Sequence, residues 1–174
     1  MNGIAKAIER LIDWTGRAVS WLTLFMVIVT FVVVVLRYLF DTGLIAIQES
    51  ISYMHAAVFL VGAAYTLQQE GHVRVDIFYS RFGEQARAWV DLCGALFMLM
   101  PFMFFIGWMS WEYVMDSWNV LEGSREAGGL PGVFLLKSLI LVMSALLMLQ
   151  SVAQVMRALN IVLSGPSNTG GSKH

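Results

Sequence analysis

The sequence has little charge, a single cysteine and only three prolines. Charged residues make up 13% of the 174 residues and hydrophobic residues 58%, whereas a soluble domain has about 25% charged residues. With a formal net charge of -1 and no basic run, the chain lacks the lysine and arginine surplus that binds nucleic acid. A lone Cys93 excludes an internal disulfide, a dithiol relay and a multi-cysteine metal site. This composition indicates an integral membrane protein.

The sequence also lacks the short motifs of hydrolases and nucleotide-binding proteins. It contains no His-Glu-x-x-His, no Gly-x-Ser-x-Gly and no glycine-rich phosphate loop. None of its long apolar runs carries an acidic residue near the middle, or the broken helix that forms substrate sites in transporters. We therefore predict no catalytic, substrate-binding or metal-binding residues and no cofactor.

Four long apolar runs dominate the chain, at about residues 19–40, 50–69, 88–113 and 132–157. A helix rises about 1.5 Å per residue, so each run is long enough to cross a hydrocarbon layer of about 30 Å. Tryptophans flank the third run, as they do at membrane interfaces. We expect an all-α integral membrane protein whose four-helix membrane domain covers residues 19–163.

Amphipathic segments lie outside these runs. In residues 1–18, isoleucine and leucine recur at helical spacing opposite charged side chains, which predicts a helix lying flat on the membrane surface. A second interfacial helix is expected at about residues 75–83. Residues 164–174 are rich in glycine, serine and proline, which predicts a disordered tail.

The distribution of basic residues predicts the orientation. Arg37, Arg125 and Lys137 fall on one side of the four runs, and the rest of the 11 lysines and arginines fall on the other. Because basic residues are enriched in cytoplasmic segments, we expect both termini to be cytoplasmic.

Ionisable residues near the ends of the runs are candidates for orienting contacts. Arg37 closes the first run and Glu49 opens the second. They are expected to pair with each other or to contact another subunit, and the alternative is that both side chains merely extend to the headgroups. Lys137 is expected to pair with Glu112 or Asp116 of the third helix.

His55 is the one ionisable residue well inside an apolar run. A haem needs two axial ligands at matching depth, and His72 and His174 both lie outside the runs. A methionine could replace the second histidine, so a haem-bearing anchor of a redox enzyme is one candidate function of the chain. A second candidate function is that of an autonomous four-helix transporter. The simplest interpretation of His55 is a hydrogen bond to a neighbouring helix.

The second run offers a surface for helix packing and ends in a polar segment. Ser52, Ala56, Phe59 and Ala63 recur at helical spacing beside Gly62, which is typical of closely packed membrane helices. The polar segment that follows begins with Glu70 and places four ionisable residues at the membrane boundary. Three of them, His72, Arg74 and Asp76, are expected either to fix this end of the helix or only to satisfy backbone groups at a turn.

Several short motifs together resemble one known family. The matching pieces are Arg37-Tyr38-x-Phe40, Glu49, Gly62-Ala63-Ala64, Gly71-His72-Val73-Arg74-Val75-Asp76 and Leu149-Gln150. Over roughly residues 21–157 the chain resembles the small membrane subunit, of the DctQ type, of tripartite ATP-independent periplasmic (TRAP) transporters. It differs where many members have a Pro-Leu-Gly-like element, because Lys137-Ser138 stands there.

The resemblance implies a non-catalytic protein of the bacterial inner membrane. Such subunits pair with a large membrane subunit that holds the sodium and substrate sites and moves like an elevator, and they act as a tilted scaffold for it. A periplasmic binding protein delivers the substrate, usually an organic acid. The expected partners are therefore these two proteins and membrane lipid, with no nucleic acid. Ten residues are expected to contact partners or to orient the helices: Arg37, Tyr38, Glu49, Ser52, Ala56, Gly62, Ala63, His72, Arg74 and Asp76.

Overall fold

The computed structural model describes residues 2–69 and 82–164. Four long helices account for most of these residues, and the described ranges contain no strand. The helices are α1 (Asn2–Leu39), α2 (Ile45–Gln68), α3 (Glu84–Asn119) and α4 (Val133–Ser164). Each is long and apolar enough to cross a membrane, which confirms the predicted all-α membrane class.

Two predicted segments fall largely outside the described residues. Of the predicted interfacial helix at 75–83, only Phe82 and Gly83 are described, and they precede α3. Of the predicted tail at 164–174, only Ser164 is described, as the last residue of α4.

The bundle is built around α4, which contacts α1, α2 and α3. α1 also packs along α2, whereas α3 packs chiefly against α4. The α1–α2 and α3–α4 connections lie at one end of the bundle, called here the loop end. The start of α1 and the last residues of α2 and α4 lie at the other, called here the terminal end.

The amphipathic N-terminal segment is not a separate helix. It continues without a break into the first membrane run, so that α1 has 38 residues and is about 57 Å long. Ile12 is fully buried in a core with Val61, Ala64, Leu146 and Leu147. The apolar stripe of residues 1–18, expected to face lipid, therefore packs partly against α2 and α4.

Polar contacts hold the N-terminal part of α1 at the terminal end of the bundle. A guanidinium nitrogen of Arg157 lies 3.0 Å from a carboxylate oxygen of Glu9, and the Gln68 side chain donates a hydrogen bond of 3.2 Å to the Glu9 carbonyl. One residue on α1 thus links the last turns of α2 and α4.

A π-helical stretch interrupts α3 at Gly94–Leu99, directly before Pro101. Proline has no N–H to donate, and in a regular α-helix its ring clashes with the carbonyl four residues earlier, here that of Phe97. The wider turn relieves this crowding, since the Met100 N–H bonds to the Ala95 carbonyl, five residues back.

A buried amide without a hydrogen bond lies within α4. Both side-chain polar atoms of Gln150 are buried, and neither has a partner in the described part of the chain. The preceding turn of α4 contributes the core residues Leu146 and Leu147.

We expect Gln150→Leu to raise the midpoint of thermal unfolding of the detergent-purified protein. An amide buried without a partner destabilises the fold, so its removal should stabilise by on the order of 1 kcal/mol. The control, Gln85→Leu, changes an exposed glutamine at the start of α3 and should have little effect. A lower midpoint for Gln150→Leu would mean that the amide binds water or a partner.

Candidate functional site

At the loop end, Glu49 fastens the α3–α4 loop onto the start of α2. The Ser124 hydroxyl donates a hydrogen bond to Oε1 of Glu49, and the Leu130 N–H donates one of 2.7 Å to Oε2. Gly129 allows this approach, because a Cβ there would lie 2.8 Å from Oε2 of Glu49. Glu49, Ser124, Gly129 and Leu130 are called here the clasp.

Arg37 takes no part in the clasp. It is exposed at the end of α1, where it lines a polar hollow of about 310 Å³ with Asp41 and Gln48. Within the described residues no hydrogen bond or ion pair joins Arg37 to Glu49, so the predicted pair is not formed. The carboxylate is bound by the α3–α4 loop instead. Tyr38 is exposed beside Arg37.

Lys137 forms an ion pair with Glu122, at 2.5 Å. The Ser117 hydroxyl donates a 2.7 Å hydrogen bond to the same carboxylate oxygen, and the Lys137 ammonium lies 4.0 Å from the centre of the Tyr113 ring. These four side chains connect the end of α3, the loop and the first turns of α4.

The prediction that Lys137 pairs with Glu112 or Asp116 is wrong. The chain reverses after α3 through Leu121, which has a positive φ of 46°, and the Glu122 N–H then bonds to the Ser117 carbonyl at 3.0 Å. This turn brings Glu122 to Lys137. The two acids on α3 are exposed instead.

The hydrogen bond from Lys137, with a smaller contribution from Ser117, holds the pKa of the Glu122 carboxyl below its ordinary value. A carboxyl whose pKa is lower in the folded than in the unfolded state stabilises the fold fully above the unfolded pKa. That stabilisation is lost as the pH falls through the folded pKa. The ionised Glu122 therefore contributes stability at neutral pH and loses it in acid.

The pH dependence of unfolding should reveal this pair. We expect Glu122→Gln to lower the unfolding midpoint at neutral pH, and the difference from the unaltered chain to shrink as the pH falls below the ordinary glutamate value of 4.5. The control is Glu126→Gln, which changes an exposed acid of the same loop and should leave the pH profile unchanged. A difference that stays constant down to about pH 3 would contradict the assignment.

On α2, the predicted small-residue stripe divides into an inner and an outer part. Ala63 packs against the core, and Ala56 is half-buried. Ser52 is exposed, and no heavy atom of another helix lies within 4 Å of a Cβ built at Gly62. One side of α2 is therefore left uncovered by this chain.

His55 lies on that uncovered side. It is exposed and stacks on Phe59 one turn later, with 6.3 Å between the ring centroids. The predicted hydrogen bond to a neighbouring helix is not made within the described residues.

The described residues contain no group of three or more histidine, cysteine, aspartate or glutamate side chains placed to hold a metal ion. His72, Arg74 and Asp76 lie outside the described residues. Sequence reasoning missed Ser124, Gly129 and Leu130 as partners of Glu49. The glycine and serine content of residues 122–132 was the available signal, because such a loop can approach a carboxylate with its backbone N–H groups.

Four long apolar helices, with ion pairs at both ends and uncovered helix faces along the sides, define a multi-pass membrane protein. The chain belongs to the family of DctQ components of tripartite ATP-independent periplasmic transporters, whose sequence model matches residues 26–160. It is accordingly the small membrane component of such a transporter, as the motifs predicted. No curated protein and no solved structure matches the chain.

Proposed function

We infer that this chain is a non-catalytic scaffold in a sodium-driven TRAP transporter for organic acids. The large membrane subunit carries the sodium and substrate sites, and this chain holds the immobile part of that subunit in place. A substrate-binding protein docks at the loop end. No nucleic acid or cofactor takes part.

The observation that supports this function most is the separation of polar and apolar surface. Ion pairs join helices at both ends, Glu9 with Arg157 at the terminal end and Lys137 with Glu122 of the loop at the loop end, and the clasp closes the loop end. Between them the sides carry large exposed apolar groups, among them Phe31, Phe59 and Phe105. In a membrane, these apolar sides can pack against other helices. Between the two ends, the described residues form no polar site that a substrate could cross.

The proposed placement is the bacterial inner membrane, with both termini in the cytoplasm and the loop end in the periplasm. The distribution of lysine and arginine supports this orientation. In this placement Arg37 and Tyr38 face the binding protein or the large subunit at the outer boundary. The inner boundary is held by His72, Arg74 and Asp76.

On the uncovered side of α2, Ser52 and Gly62 are proposed to contact the large subunit. Ala56 and Ala63 lie deeper and support the same helix from within the bundle. Glu49 acts indirectly, since it fixes the loop that the binding protein meets.

Co-purification tests the proposed function. The chain is expressed in a membrane with the large TRAP subunit encoded beside it, and a tag on this chain is used for purification in mild detergent. We expect the large subunit to elute with it in a constant ratio. A chain that elutes alone, while the large subunit is present and folded in the same membranes, would contradict the proposal.

A further inference from the structure

A groove of about 810 Å³ runs between α3 and α4. Its lining is mainly apolar and includes Met103, Phe104, Trp108, Leu141 and Met148. Phe104 and Trp108 stack on each other along one wall, with 6.1 Å between their ring centroids. The groove lies on the side of the bundle, between its two ends.

Small residues form the floor of this groove. Gly107, Ser144 and Ala145 form part of its lining, and a Cβ built at Gly107 would lie 3.5 Å from Cβ of Ser144, so α3 and α4 are in contact there. The Ser144 hydroxyl is already bonded to the Ile140 carbonyl at 3.0 Å, so this wall presents little unsatisfied polarity. Ala145 is exposed, and a small side chain on a groove lets another helix backbone approach closely.

The groove also carries an uncompensated negative charge. Glu112 lines it, and Asp116 lies one turn further along α3. Both side chains are exposed, and neither forms a hydrogen bond or ion pair with the residues that the structure describes. Carboxylates four residues apart on a helix repel each other. By contrast, Glu49 and Glu122 are both bound within this chain.

We propose that this groove receives a transmembrane helix of the large subunit that carries a lysine or arginine at the depth of Glu112. The proposal rests on the scaffold function above and adds the face and the charge of the contact. The small side chain of Ala145 leaves room for the helix, and the basic side chain neutralises Glu112.

The position of Glu112 favours a protein cation over a phospholipid. Glu112 directly follows the uncharged run that begins after Asp91, so it lies at the edge of the hydrocarbon layer. A phospholipid at that level presents its esters and anionic phosphate to the carboxylate. A lysine or arginine of a helix reaches this boundary through its long apolar stem.

The first test fills the groove. Ala145 is exposed, so the larger side chain of Ala145→Leu occupies part of the groove without crowding the interior of this chain. We expect it to reduce the large subunit that co-purifies by about tenfold, the effect of about 1.4 kcal/mol in binding. The matched control is Ala86→Leu, at an exposed alanine near the start of α3 and outside the groove, which should leave the yield unchanged.

The second test reverses the charge. Glu112→Lys should reduce co-purification to a similar extent, whereas Glu126→Lys, on the loop, should not. In addition, a photo-crosslinking residue at position 145 should form an adduct with the large subunit, and one at position 86 should not.

The outcomes separate this inference from the proposed function. If the unaltered chain co-purifies with the large subunit but the groove variants do so equally well, the groove inference is wrong and the scaffold function stands. An adduct at position 145 with phospholipid alone also overturns the inference. If the unaltered chain fails to co-purify, the scaffold function and the inference fall together.

Discussion

Replacing Gly16 with alanine is expected to destabilise the bundle by about 3 kcal/mol, at the upper end of the usual cost of overpacking. A Cβ at this position would lie 2.6 Å from Cβ of Tyr65 on α2. The Tyr65 ring can rotate, but its Cβ is fixed to the backbone, so α1 and α2 must separate. The measurement is the thermal unfolding midpoint of the detergent-purified chain.

Gly3→Ala is the matched control, because Gly3 is also on α1 and a Cβ there meets no atom within 4 Å. Alanine is the better helix former by up to about 1 kcal/mol. The same chemical change should therefore be neutral or stabilising at Gly3 and strongly destabilising at Gly16. Equal effects at the two positions would show that α1 does not approach α2 as described.

Replacing Glu49 with alanine is expected to release the α3–α4 loop. The Leu130 N–H and the Ser124 hydroxyl would both lose the carboxylate that accepts their hydrogen bonds. Hydrogen exchange followed by mass spectrometry should show the Leu130 amide exchanging on the order of tenfold faster. The interior of α4 should keep its protection.

Glu49→Gln separates the hydrogen bonds from the charge. The glutamine keeps one acceptor oxygen, so the loop should show an intermediate rate of exchange. Exchange at Leu130 that is the same in Glu49→Ala and in the unaltered chain would contradict the clasp. Arg37→Ala is a second comparison and should leave this amide protected, since Arg37 lies outside the clasp.

The membrane helices could be predicted from the sequence because a long apolar run in a lipid bilayer can form few structures other than a helix. The family could be predicted from motifs such as Arg37-Tyr38 and Gly62-Ala63-Ala64. These features depend on the chain locally, so no tertiary information was needed.

The contacts at the ends of the bundle could not be predicted in the same way. Depth along the membrane pairs Lys137 with acids on the neighbouring helix, whereas the reversal at Leu121 brings Glu122 to it. Proximity along the chain favours Arg37 as the partner of Glu49, whereas the folded α3–α4 loop supplies its hydrogen-bond donors.

The surroundings of the N-terminal segment could not be predicted from its periodicity either. An apolar stripe opposite charges predicts an amphipathic helix whether the stripe faces lipid or protein. Ile12 is buried and Glu9 contacts Arg157, which shows that the stripe faces protein. Both contacts involve helices that are distant in sequence.

Transport by reconstituted liposomes tests the central claim most directly. Vesicles are prepared with this chain alone, with the large subunit alone and with both, each supplied with the binding protein, an inward sodium gradient and a panel of organic acids. We expect no uptake with this chain alone and sodium-dependent uptake only when both membrane subunits are present. Uptake by vesicles that contain this chain without the large subunit would contradict the scaffold function.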